Sequence, residues 1–269
     1  MAGEMADAVR GLGIEGTRKE GETSMIILGI ETAGPTGSVA LVDTVAGTTR
    51  QVLLPASRQL GADLAPVVAR LLTESGLGPD RAPDLVAVDL GPGSYTGLRI
   101  GLAAAKGLCF AWGRPLLGVA AVEALAEEAM LGQGATDVVV AMDASRGQVH
   151  AARFGADPRA GAGNQGIVRT VSADLWDPAE LREALVKGGP VPALVGDAAA
   201  AVADPARGLV ATGPLWPTAE RIARVAHARH CRGERDDALR LVPIYFHANE
   251  AEETRRKRSM KATVGNSSS

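Results

Sequence analysis

The residues best placed to do chemistry in this 269-residue chain lie in one run, Gly91-Pro92-Gly93-Ser94-Tyr95-Thr96-Gly97-Leu98-Arg99-Ile100-Gly101. It follows an apolar stretch, Leu85-Val86-Ala87-Val88, and precedes a long helical pattern. A glycine-rich turn at a helix start offers unpaired N–H groups and the positive end of the helix dipole, which suits an anion. Gly93, Ser94, Thr96 and Arg99 are therefore candidate contacts to an anion or nucleotide. The spacing nevertheless reads G-x-G-x-x-x-G, one residue off the dinucleotide fingerprint, and lacks the Lys-Ser/Thr pair that ends a P-loop. A nucleophile elbow is excluded as well, because Tyr95 follows Gly93-Ser94 and Gly97 falls one residue late. Ser94 and Thr96 fit helix caps better. Arg99, unfavourable so near a helix start, is expected to meet a partner carboxylate, a nucleotide or solvent.

Other reactive residue types carry less. The four histidines form no H-E-x-x-H pattern; His227 and His230 are three apart, and His150 and His247 stand alone. No metal site is expected. Cys109 and Cys231 are far apart with no C-x-x-C, and Cys109 sits in an apolar helical run as a small hydrophobe would. A reducing, cytoplasmic setting is expected. Net charge is -3, from 28 basic and 31 acidic residues, and aromatics are 3% of the chain. That balance argues against a basic nucleic-acid face or a base-stacking platform. Residues 1–24 are polar, unlike a signal peptide, and no run of about 18 apolar residues suggests a membrane span.

The elements that must hold the glycine-rich run follow from periodicity. Strands are expected at Met25–Glu31, Gly37–Asp43 and Thr48–Leu54. Leu60, Leu64, Val67, Val68, Leu71 and Leu72 then recur at helical spacing, with Gly76 and Gly78 ending that helix. A strand at 84–90, a helix at 94–112, a strand at Leu116–Val119 and a helix near 121–131 follow. This is the order of a ribonuclease-H-like half, with a mixed sheet flanked by helices. Asp137–Met142 and Gln148–Phe154 read as a second hairpin, then a Gly/Ala/Pro-rich loop at 155–167, a helix at 178–187, a strand at Ala193–Gly196 and a helix at 218–231. Two similar α/β halves imply a duplication, divided as a 1–24 extension, a lobe at 25–120, a smaller lobe at 121–250 and a basic tail at 251–269. The tail's Arg255-Arg256-Lys257-Arg258 is a solvated charge run or a contact to RNA.

On the helix, Gly97, Gly101, Ala104, Leu108 and Ala111 share one face, where small residues would let another helix approach closely. Two glycines one turn apart cost about 1 kcal/mol each relative to alanine, so close packing is the expected reason. The neighbour is expected to be helix 60–77, with outer faces left for a second subunit to complete a four-helix arrangement.

The run Gly91–Gly101, continued by Ala104-Ala105-Lys106-Gly107-Leu108, resembles the signature of the bacterial TsaB family of tRNA threonylcarbamoyladenosine biosynthesis proteins. Leu28-Gly29-Ile30-Glu31-Thr32 with Ser38-Val39-Ala40-Leu41, the hairpin Met142–Val149 and the closing Pro243-Ile244-Tyr245 agree, so the likeness spans about residues 25–250. The resemblance implies a two-lobed fold of the actin, Hsp70 and sugar-kinase type. It also implies a non-catalytic scaffold subunit in making N6-threonylcarbamoyladenosine beside the anticodon of ANN-decoding tRNAs. The implied partners are the catalytic paralogue TsaD and the ATPase TsaE, with tRNA met through the complex and a homodimer formed when the chain is alone. The implied partner surface comprises Leu64, Val68, Leu71, Gly97, Gly101, Ala104 and Leu108. ATP or ADP with magnesium is implied at the complex interface rather than on this chain. In the actin-like superfamily the first hairpin wraps phosphates and an acidic residue positions magnesium; Glu31 stands at that place, where relatives usually carry Asp. Glu reaches about one methylene further, away from strict magnesium geometry. Gly196-Asp197 matches the superfamily's nucleotide-facing Gly-Asp, and with the Glu31–Ser38 hairpin it supports an alternative reading, a stand-alone ATP-dependent kinase or ATPase.

Overall fold

The computed structural model describes residues 24–55, 59–78, 80–156, 167–188, 190–213 and 215–245. His247, Arg255–Arg258 and the rest of the basic tail lie outside them, as do residues 1–23.

Three strands open the fold as a meander, β1 (Ile26–Glu31), β2 (Ser38–Asp43) and β3 (Thr49–Leu53). Helix α1 (Leu60–Glu74) crosses to β4 (Leu85–Asp89), and α2 (Tyr95–Trp112) crosses to β5 (Leu116–Val119). The sheet runs β3-β2-β1-β4-β5, with β1 antiparallel to β2 and parallel to β4. Alternation along β1 serves two layers. Leu28 and Ile30 join Val86, Val88, Leu64, Val68, Leu71, Leu102 and Ala105 in a core beneath α1 and α2. Ile27, Leu85, Ala87 and Leu117 face the opposite side.

Helix α3 (Ala121–Gln133) leads into a second sheet of β6 (Asp137–Asp143), β7 (Val149–Ala156), β8 (Ile167–Trp176) and β9 (Ala193–Val195), with α4 (Pro178–Lys187), α5 (Ala199–Val202) and α6 (Ala219–Cys231). Its order is β8-β7-β6-β9, and β6 repeats the part of β1: antiparallel to β7, parallel to β9. This is the two-sheet α/β fold expected from the sequence, with the duplication visible in strand order. α3 covers one face through Leu125, Ala129 and Met130 against Val138, Val140 and Phe154. Leu181, Leu185 and Val202 cover the other.

Helix α6 comes late in the chain but packs on the first sheet. Ile222, Ala223 and Ala226 fill the layer over Ile27 and Leu85. Gly29 makes this approach feasible, since a Cβ there would overlap the carbonyl of Ala219. Ser38 Oγ accepts a hydrogen bond from the Ala219 N–H at 2.9 Å, fixing the helix start. Sequence order alone had grouped α6 with residues 121–250.

Candidate functional site

The glycine-rich run is a turn from the end of β4 into α2. Ser94 is the N-cap and accepts from the Gly97 N–H at 3.2 Å, as its sequence position suggested. The helix closes at Gly113, whose φ of +63° is left-handed. The two glycines do not meet a helix. A Cβ on Gly97 would overlap the Thr32 carbonyl oxygen and lie 2.9 Å from its carbon, and one on Gly101 would overlap Thr32 Oγ1. Thr32 Oγ1 donates to the Gly97 carbonyl at 2.8 Å, and the Ser94 N–H donates to the Ala33 carbonyl at 2.9 Å. The small face of α2 thus seats the loop after β1. Sequence spacing identified the need for close packing but not what approaches.

Glu31 ends β1 wholly buried. Its Oε1 accepts from the N–H groups of Ala33 at 2.6 Å and Gly34 at 2.7 Å. Burial pushes its carboxyl up to about 7, against the pull of those two donors. Asp89, passed over in the sequence, ends β4 at 1% exposure, and its Oδ1 accepts from the Gly91 N–H at 2.8 Å. Burial, and then the neighbouring Glu31, hold its carboxyl well above the usual range. A Cβ on Gly34 would lie 3.5 Å from both Glu31 carboxylate oxygens and from Trp216 Cδ2, so Trp216 sits over this turn. The visible signal for Asp89 was one acidic residue closing an otherwise apolar strand.

Arg99 lies on the outer side of α2. Its guanidinium sits 3.9 Å above the Tyr95 ring, and its Nε donates to the Tyr245 hydroxyl at 3.0 Å. The two tyrosine rings are 4.9 Å apart. Ile244 N–H donates to the Leu90 carbonyl at 2.8 Å, so Pro243–Tyr245 lies across the glycine-rich turn. Arg99 is thus engaged by aromatic faces. Gly93 is pressed by Ala33, whose Cβ would stand 2.7 Å from an added Cβ. Thr96 is an exposed first-turn residue.

Between α1 and α2 lies an apolar cleft of about 450 Å³. Ala65 and Ala69 of α1 and Ala104, Gly107 and Leu108 of α2 line it, with Leu64 and Val68 at its base. Of the residues expected at a partner surface, Ala104 and Leu108 are half-buried along this cleft. Leu64 and Val68 reach it from the core, Leu71 is core, and Gly97 and Gly101 face Thr32. Phe110, also on α2, is 92% exposed.

Elsewhere, His150 is buried, His227 Nε2 lies 3.4 Å from Cys231 Sγ, and His230 stands beside Arg235. Among the described residues no three His, Cys, Asp or Glu side chains converge as a metal site would require. Asp197 Oδ1 accepts from the Asp143 N–H at 2.9 Å, at the end of the second sheet. No described helix is long and apolar enough to cross a membrane.

Comparison with known proteins agrees with this geometry. The tRNA threonylcarbamoyladenosine biosynthesis protein TsaB of Escherichia coli (strain K12) is 36% identical over 133 residues, 49% of this chain and 56% of that protein. The family this chain resembles is TsaB. The Haemophilus influenzae TsaB is 32% identical over 127 residues, 47% of this chain and 52% of that protein. The matched segment therefore spans about half the length of these TsaB relatives. The solved structure of YeaZ from Pseudomonas aeruginosa superimposes with a TM-score of 0.66 and 26% identity, over 82% of this chain and all of that one. A family model for TsaD, tRNA N6-adenosine threonylcarbamoyltransferase, matches residues 54–168.

Proposed function

We propose that this chain is a non-catalytic subunit of the machinery that forms N6-threonylcarbamoyladenosine in tRNA, and that it docks a TsaD-type catalytic paralogue on the α1–α2 cleft. The observation that carries this reading is the cleft, whose mainly apolar lining sets the small residues Ala65, Ala69, Ala104 and Gly107 among Leu72, Leu108 and Trp112. Such a lining fits the small-residue seam of a helix pair laid alongside. Phe110, elsewhere on α2, is a further exposed aromatic side chain of the kind found at interfaces.

The non-catalytic part of the reading is supported by the site at the end of β1. Glu31 spends its Oε1 on Ala33 and Gly34 and lies wholly inside the protein, beneath the turn that Trp216 covers. A carboxylate so enclosed is badly placed to present an oxygen to a magnesium-bound phosphate, because magnesium keeps several waters. The rival reading, a stand-alone ATP-dependent enzyme, needs that hairpin open. Nucleotide, magnesium and a TsaE-type ATPase belong in this account to the assembled complex in the cytoplasm. The cleft also serves self-association when the catalytic paralogue is absent.

The test is reconstitution. The catalytic paralogue, tRNA and a threonylcarbamoyl donor are combined with and without this chain, and modified adenosine is quantified. Product that requires this chain, with no magnesium-ATP turnover by the chain alone, is the expected result. Sustained ATP turnover by the purified chain alone would overturn the proposal.

A further inference from the structure

Glu31 and Asp89 form a second kind of feature that the proposed subunit role does not use. They end neighbouring parallel strands, one step beyond the register pair Ile30 and Val88. Residues level with each other on parallel strands leave the sheet on the same face, about 4.8 Å apart. Both side chains are sealed from solvent. Each spends one oxygen on backbone N–H groups of its own turn, and the other oxygens, Glu31 Oε2 and Asp89 Oδ2, have no hydrogen-bond partner. A buried oxygen without a partner is costly, and two buried negative charges side by side without a cation are costlier.

Among the described residues the surroundings supply no cation. α2 turns Arg99 outward onto Tyr95 and Tyr245. β5 contributes Leu116–Val119, none of them ionisable. Trp216 covers the Gly34 turn. α6 meets β1 at Gly29 through Ala219 and Ala223, and its Glu220 is held by Thr49 and Arg224. α3 starts where the Ala121 N–H meets the Gly91 carbonyl, with acidic Glu123 in its first turn.

We propose that Glu31 and Asp89 hold one proton between them at neutral pH, Asp89 Oδ2–H donating to Glu31 Oε2, so that a carboxyl–carboxylate clasp joins the loop after β1 to the glycine-rich turn after β4. The proton belongs on Asp89 because Glu31 already accepts two backbone N–H bonds, which favour its ionised form, whereas Asp89 accepts one. The clasp works beside the Thr32–Gly97 and Ala33–Ser94 bonds, which zip the same two loops.

Carbon-13 NMR of the aspartate and glutamate carboxyls in the full chain tests the proposal. At pH 7 the Asp89 carboxyl carbon is expected at its protonated position, and in Glu31→Gln it is expected to titrate at least two pH units lower. Asp89→Asn provides a second readout, since its amide N–H mimics the shared proton. Its thermal midpoint is expected to equal or exceed the wild type at pH 7 and to gain on it as pH rises. Both carboxyls ionised at pH 7, or a stabilisation of the wild type by calcium or magnesium that Asp89→Asn loses, would overturn it in favour of a cation between them.

Discussion

Gly97→Ala measures how tightly the loop after β1 is seated on α2. In an exposed helix interior this change stabilises by about 1 kcal/mol, because alanine gives up less backbone freedom. Here the new methyl would overlap the Thr32 carbonyl oxygen and stand 2.9 Å from its carbon, and this obstacle is backbone, which cannot swing aside like a flexible side chain. The loop must retreat, straining the buried bond from Thr32 Oγ1 to the Gly97 carbonyl. Overpacking of this kind costs roughly 1–3 kcal/mol, and a weakened buried hydrogen bond adds about 1 kcal/mol. Set against the propensity gain, the net loss is about 1–3 kcal/mol, or roughly 2–10 °C in the thermal midpoint of a domain this size. Thermal unfolding followed by circular dichroism, alongside Gly107→Ala as the control, reads it out. Gly107 has open space where its Cβ would go, so the control is expected to be neutral or to gain up to about 1 kcal/mol. If Gly97→Ala matched Gly107→Ala, the contact between loop and helix would not be the reason for the glycine.

The remaining predictions are independent of that contact. Phe154→Ala, which empties a fully buried position under α3, should cost about 3–5 kcal/mol by chemical denaturation. Burial pushes the Cys109 thiol up to about 12, so a thiol reagent at pH 8 should label exposed Cys231 in the native chain and reach Cys109 only after unfolding. Burial raises Glu127 to about 6, against the pull of Arg221, Arg224 and Arg232. A raised folded value means stability that is full below the unfolded value near 4.5 and is lost as pH rises through about 6. Glu127→Gln should therefore flatten that part of the stability profile, seen as a midpoint difference from wild type that grows between pH 4.5 and 7.

Much of the fold was legible because its strands alternate or run apolar and its helices keep strict spacing. Leu64, Val67, Val68, Leu71 and Leu72 all lie inside, as their periodicity required. Strand β8 and short α5 were not singled out, and α6 was grouped with the wrong neighbours in sequence order. Periodicity reports which face of a helix is buried but not which sheet buries it, and α6 returns to the first sheet through Gly29. The candidate site was legible in part. Ser94 as a cap followed from local chemistry, whereas Gly97 and Gly101 serve Thr32, some 65 residues earlier in sequence, which no local pattern encodes. A large residue at Gly101 would consequently test folding rather than docking. Asp89 matters through Glu31 across a parallel strand pair, a relation fixed only by sheet order.

The docking claim is tested most directly by titrating the TsaD-type paralogue into this chain and into Gly107→Arg, with heats of binding recorded by calorimetry. Gly107 lines the cleft and has nothing within 4 Å of its Cβ position, so the arginine can fill the cleft without disturbing the free fold. Saturable binding by the wild type, and at least tenfold weaker binding by a Gly107→Arg chain with an unchanged thermal midpoint, is the predicted result. Equal affinity of the two chains for the paralogue would contradict docking on the α1–α2 cleft.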